Sequence, residues 1–356
     1  MLKHLTRKNK AFFTAELLDW HTTQNKREMP WKNEKDPYKI WISEVILQQT
    51  RVQQGEAYYN RFMEAFPTVG HLAAAPYTKV FKLWEGLGYY NRCKNLIATA
   101  RHIVNELEGK FPATFDELLS LKGVGNYTAS AIASFAYNLP HAVLDGNVFR
   151  VLSRFFGISL AIDNNAGRKV YSSLADELLS KKRSAIYNQA IMDFGATVCK
   201  PQFPLCESCP FKTKCFAFTA GVVNDLPVKE KISVRRQRWF NYLQIECDKK
   251  VYIRKRIEND IWQNLNEFVL IETTHPISTL ALEASEAFKK IFNSTGYAFT
   301  CTSKVYTQHL THQTITGQFL RIKTEEKLSM PGYQLIPINR LNLLPFPKFI
   351  SSYLKD

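Results

Sequence analysis

The chain has 356 residues, 45% of them hydrophobic, with a formal charge of +15 and a pI near 9.4. That length suits two globular domains of roughly 100–200 residues each, and the dispersed Lys and Arg point to a polyanionic partner, nucleic acid first, although a basic surface alone also fits an anionic membrane face. No apolar run reaches the roughly 18–20 residues of a spanning helix and the basic N-terminus lacks the apolar core of a secretion signal, while seven cysteines, four clustered and three isolated (Cys93, Cys247, Cys301), are not a disulfide framework; a cytoplasmic protein in a reducing compartment is expected.

From residue 11 to residue 221 apolar residues recur with a helical period and hardly a strand pattern appears, so the first domain, residues 1–221, is predicted to be all-α. Phe12, Phe13, Leu17, Leu18 and Trp20 mark its first helix. Asp36 and Pro37 open a second, predicted to run to about Gln54; Pro76 opens one that stops near Gly86 and Gly88, and Thr114 with Glu117 forms a capping box. Within the second helix Glu44 stands in a largely apolar run, where a carboxyl group would be desolvated and its pKa raised. A solvent-facing glutamate is the plain alternative.

Residues 121–129, Leu-Lys-Gly-Val-Gly-Asn-Tyr-Thr-Ala, read as a tight turn between two helices. Gly123 and Gly125 around Val124 let the backbone approach a partner closely, and the amides opening the following helix favour a phosphate. An ordinary connection needs only one glycine. Asp145, before Gly146 and Asn147, makes a natural N-cap. Cys199, Cys206, Cys209 and Cys215 then follow the spacing C-x6-C-x2-C-x5-C among Lys200, Lys212 and Lys214. Four thiolates in one loop suit a single tetrahedral zinc ion or a cubane iron–sulfur cluster equally well.

Residues 222–238 are polar, basic and interrupted by Pro227, as a linker would be, and residues 239–356 form a smaller α+β domain. Residues 243–247 alternate, Asp248-Lys249-Lys250 turns the chain, and Val251-Tyr252-Ile253-Arg254 completes a β-hairpin. A helix is predicted over 279–292, with strands over 297–302, 318–323 and 333–336.

The hairpin, Asp145 and the cysteine spacing, in that order, resemble the helix-hairpin-helix DNA glycosylases related to endonuclease III. The resemblance implies one [4Fe–4S] cluster on Cys199, Cys206, Cys209 and Cys215, bracing a loop near DNA phosphates, with Gly123, Val124 and Gly125 on the DNA backbone. It further implies that Glu44 protonates the departing base and Asp145, oriented by Asn147, stabilises the sugar cation. Bifunctional members carry a lysine two residues after the second hairpin glycine; here that residue is Tyr127, which implies a monofunctional, water-dependent enzyme, with Tyr127 lining the base pocket or packing in the core.

Other stretches are similar to the adenine-excising branch of this family. Arg27-Glu28-Met29-Pro30-Trp31 and Tyr187-Asn188-Gln189-Ala190 imply that Arg27, Trp31 and Gln189 hold a flipped base, although Trp31 equally suits a core. Gln48, Gln49 and Thr50 match the loop that fills the vacated duplex, and Tyr89 matches the wedge beside the damaged base. The C-terminal domain looks Nudix-like and lesion-reading, without the metal-binding glutamates of a hydrolase. Its reading loop best matches Leu310-Thr311-His312, which keeps a hydroxyl but lacks the usual aromatic. The implied partner is double-stranded DNA with adenine opposite 8-oxoguanine or guanine, met by a monomer that leaves an abasic site.

Overall fold

The computed structural model describes residues 5–50, 52–230, 235–293 and 295–356, and the chain divides into two compact units: Met1–Ala74 with Ala98–Lys231, and Ala75–Ile97 with Ile232–Asp356. Part of the basic linker, residues 231–234, lies outside the described residues. Among those described, no helix is long and apolar enough to cross a membrane.

The helices run α1 (Arg7–Thr23), α2 (Pro37–Leu47), α3 (Val52–Ala65), α4 (Val69–Ala74), α5 (Tyr77–Trp84), α6 (Tyr90–Glu106), α7 (Phe115–Ser120), α8 (Asn126–Tyr137), α9 (Gly146–Phe156), α10 (Asn165–Leu178), α11 (Ser184–Thr197) and α12 (Phe216–Thr219). Asp36 caps α2 with Pro37 at its first turn, and Thr114 and Glu117 close both halves of their capping box. The helix expected to reach Gln54 stops at Leu47 instead. Gln49 takes φ +60°, and α3 returns so close that a Cβ on Gly55 would stand 2.7 Å from Leu47 Cδ2. Packing of α3 against α2, which no local breaker signals, sets the break.

Phe13, Phe155, Phe156, Phe194 and Phe211 meet in a core shared by α1, α9 and α11. Phe211 stacks on Phe13 with ring centroids 4.8 Å apart, and it comes from between Cys209 and Cys215. The cysteine loop is therefore anchored by an aromatic side chain in the centre of the helical unit. Gly157 ends α9 in the left-handed region at φ +68°, where a side chain would also strike the Phe216 ring.

The second unit holds an eight-stranded mixed sheet. Its strands are β1 (Arg236–Cys247), β2 (Lys250–Lys255), β3 (Asn266–Glu267), β4 (Val269–Thr273), β5 (Tyr297–Thr302), β6 (Tyr306–His309), β7 (Gln313–Thr324) and β8 (Gln334–Pro337), with the path β3-β2-β1-β7-β5 and β4, β6 and β8 paired to β1, β7 and β2. The β1–β2 turn forms through Asp248 and Lys249, both at positive φ. β1 begins at Arg236, inside the segment read as linker. It pairs in parallel with β7 along Arg236↔Gln313 to Glu246↔Lys323, an approach so close at Gly317 that a Cβ would meet the Phe240 carbonyl oxygen at 2.0 Å. The single helix expected over 279–292 is two, Thr279–Ala284 and Glu286–Phe292, because Ser285 ends the first and caps the second.

Fully buried Glu267 binds Arg254 at 2.7 Å and Arg256 at 2.8 Å, and Arg238 binds Asp260 and Glu272, each at 2.7 Å. These three carboxylates are thus neutralised by guanidinium groups.

Candidate active site

α2 is apolar on almost every side, so burying Ile40, Trp41, Ile42, Val45 and Ile46 carries Glu44 inward, leaving it 5% exposed. The Tyr127 hydroxyl, on the first turn of α8, donates to Glu44 Oε2 at 2.6 Å. Burial pushes Glu44 up to about 7; the Tyr127 hydrogen bond opposes the rise and the charge of Asp145 adds to it. Burial, with both carboxylates nearby, also drives the Tyr127 phenol well above its ordinary value.

Asp145 caps α9, as its position before Gly146 predicts. Its Oδ1 accepts from the Val148 N–H at 2.8 Å and its Oδ2 from Asn147 Nδ2 at 2.7 Å. Burial is the largest effect on its ionisation and raises Asp145 above the ordinary carboxylate value, with the donors limiting the rise. Asn147 is itself fixed, because its Oδ1 accepts from Arg150 Nη2 at 2.8 Å. Buried Arg150 also donates to the carbonyls of Gly195 and Cys199, both at 2.7 Å. Gly195 is required there, since a Cβ would lie 2.6 Å from Asn147 Cβ.

Glu44, Tyr127, Asp145 and Asn147 line one cavity of about 210 Å³ together with Arg27, Trp31, Thr50 and Gln189. Trp31 both lines the cavity and packs edge-on against Tyr59 at 5.2 Å. Sequence reasoning missed Asp193. Fully buried, it accepts from Arg27 Nη1 at 2.7 Å, Gln189 Nε2 at 2.9 Å and Asn25 Nδ2 at 2.8 Å. It stands four residues after Gln189 on α11, and that helical spacing was the available signal. His21, also missed, lines the same cavity.

Other expected residues lie elsewhere. Gln48 and Gln49 turn away from the cavity lining; Gln48 Nε2 donates to Thr128 Oγ1 at 3.3 Å and Gln49 is exposed. In the hairpin, Gly123 takes φ +79°, while Gly125 is extended and caps α8 with no side-chain bond, and both Gly125 and Asn126 are exposed. Tyr89 and Leu310-Thr311-His312 belong to the second unit. There the Tyr89 and Thr311 hydroxyls are hydrogen-bonded to each other, and the Arg92 guanidinium lies 5.2 Å from the Tyr89 ring.

Burial, the largest cause, lifts Cys209 to about 12 and Cys215 to about 11, and charge on Cys199 would raise Cys206, Cys209 and Cys215 further. Backbone N–H groups of Phe211, Ala217 and Phe218 point at those two sulfurs, and Arg154 Nη1 lies 3.6 Å from Cys199 Sγ. Such thiols ionise together only around a cation, and the surrounding donors suit thiolate ligands. Among the described residues, no group of three or more His, Cys, Asp or Glu side chains is gathered tightly enough to hold a metal ion.

The family described as HhH-GPD superfamily base excision DNA repair protein matches residues 42–172. An adenine DNA glycosylase of Buchnera aphidicola subsp. Schizaphis graminum (strain Sg) is 34% identical over 263 residues, 73% of this chain and 75% of that protein. The adenine DNA glycosylase of Mus musculus is 42% identical over 232 residues, 62% of this chain and 45% of its own length. Among solved structures, a thermostable thymine-DNA glycosylase aligns with TM-score 0.55 and 29% identity over 60% of this chain and 98% of its own. A non-covalent endonuclease III–DNA complex shares the fold, with TM-score 0.53 and 23% identity over 61% of this chain and 98% of its own.

Proposed function

Since the chain belongs to the adenine DNA glycosylases, enzymes of base excision DNA repair within the HhH-GPD superfamily, we propose that it is a monofunctional member that excises adenine mispaired with 8-oxoguanine, or with guanine, and leaves an abasic site. The observation that carries this reading is the pairing, in one cavity, of Glu44 at about 7 with Asp145 and no lysine at position 127.

Glu44 enters the reaction as the acid. Its proton passes to a ring nitrogen of the flipped adenine while the electrons of the glycosidic bond leave with the base. Asp145, held by Val148 and Asn147, faces the cationic sugar as a carboxylate. Water then adds to the anomeric carbon and returns its proton to Glu44. Of two carboxyl groups sharing a cavity, the one buried more deeply and bonded by fewer donors keeps the proton.

Arg27, Trp31 and Gln189 hold the base in this proposal, and Tyr89 with Gln48, Gln49 and Thr50 replaces it in the duplex. The second unit, Nudix-like, reads the opposite base through Leu310-Thr311-His312. The enzyme acts as a monomer in the cytoplasm, with Gly123, Val124 and Gly125 on the DNA backbone. A [4Fe–4S] cluster on Cys199, Cys206, Cys209 and Cys215 supplies bracing for the loop and no chemical step. Iron and acid-labile sulfide are expected in equal amounts, and Cys209→Ser should lose both; zinc in their place would overturn this assignment.

Single-turnover release of adenine from a duplex pairing it with 8-oxoguanine tests the whole reading. Base release with strand breaks appearing only after alkali is expected, and a borohydride-trapped complex would replace it with a bifunctional enzyme. The rate should fall as pH rises through about 7, where Glu44 loses its proton. Tyr127→Phe removes a bond that favours the Glu44 carboxylate, so the alkaline limb should move to higher pH; an unmoved limb would exclude Glu44 as the titrating acid.

A further inference from the structure

Asn25 links two parts of the cavity wall, and its amide can be oriented without ambiguity. Its Oδ1 accepts from the Arg27 backbone N–H at 3.1 Å, so Nδ2 is the donor. That nitrogen donates to Asp193 Oδ2 at 2.8 Å and meets His21 Nδ1 at 3.0 Å. Facing a donor, Nδ1 must be the acceptor, and a neutral imidazole then carries its proton on Nε2. Burial is the largest influence on the ring and holds it below the ordinary histidine value, which favours that neutral form.

His21 lines the cavity beside Arg27, Gln189 and Met192, and among the described residues its Nε2 makes no hydrogen bond. We propose that His21 contacts the base directly, donating its Nε2–H to a ring nitrogen of the flipped purine, with Asn25 and Asp193 fixing the tautomer that makes this possible. The inference rests on the base-excision reading above. It adds a polar contact from α1, a helix that the hairpin and the two carboxylates do not involve.

The acceptor is a nitrogen with a lone pair in the plane of the ring, so replacing the right nitrogen by C–H removes the contact while retaining the shape of the base. The test uses His21→Phe, which keeps a ring without the donor, and His21→Gln, whose amide nitrogen can take the place of Nε2. Single-turnover release of adenine opposite 8-oxoguanine should fall about tenfold in His21→Phe and recover most of that loss in His21→Gln.

Affinities are then compared in an Asp145→Asn background, which suppresses base release, for duplexes bearing adenine or its 1-deaza, 3-deaza and 7-deaza analogues. The parent should bind adenine more tightly than His21→Phe does, and this difference should vanish for one analogue and persist for the other two. A deficit equal across all four bases would show a packing role and overturn the inference, as would adenine release by His21→Phe at the parent rate. Failure of the unsubstituted enzyme to release adenine at all would instead overturn the underlying reading, and this inference with it.

Discussion

Replacing Glu44 by Gln is expected to lower single-turnover adenine release by roughly 10²–10⁴-fold, the usual contribution of a positioned general acid, with little change in affinity for the mispaired duplex. The amide fits the same buried site and its oxygen can still accept from Tyr127, but it has no proton to give. The substitution has an opposite effect on stability. Between about 4.5 and about 7 the unfolded chain ionises Glu44 while the folded chain keeps it neutral, so folding stability falls with rising pH over that window. At pH 8 this opposition amounts to roughly 3 kcal/mol as an order of magnitude. Glu44→Gln should therefore melt at a higher temperature than the parent, by more at pH 8 than at pH 5. Near-normal base release would remove Glu44 from the mechanism, and equal melting at both pH values would show that its burial is not opposed by ionisation.

Asp145→Asn is expected to reduce base release by about 10²–10³-fold, as loss of one preorganised electrostatic group does. Asn can still cap α9 through its oxygen, but its amide nitrogen would then face the Asn147 amide, donor against donor, where Asp145 Oδ2 now accepts. Because the Asp145 charge helps raise Glu44, the residual activity should lose its alkaline limb at a lower pH than the parent. Rate–pH profiles of the two proteins, with duplex affinity measured alongside, check both effects. A large loss in affinity rather than rate would assign Asp145 to DNA binding instead.

What the sequence revealed was local. The capping box at Thr114, the N-cap at Asp145 and the β1–β2 turn each depend on a few adjacent residues, and each forms as read. Features imposed from a distance were not legible. Nothing in Gln48-Gln49-Thr50 announces the end of α2, because the cause is Gly55 packing on Leu47. The parallel pairing of β1 with β7 joins segments more than sixty residues apart and has no neighbouring signal. His21 and Asn25, four residues apart at the end of α1, meet locally, but their link to Asp193, 168 positions beyond Asn25, comes only from tertiary packing.

Phe211 gives the cysteine loop a foothold that owes nothing to its thiols. Because this ring is seated among Phe13, Phe155 and Phe194, part of the loop's attachment to the helical core is aromatic packing that does not pass through sulfur. If the loop also holds a cluster, Cys209→Ser should leave it tethered at Phe211, and limited proteolysis of that variant would measure how much of the attachment the ring alone provides.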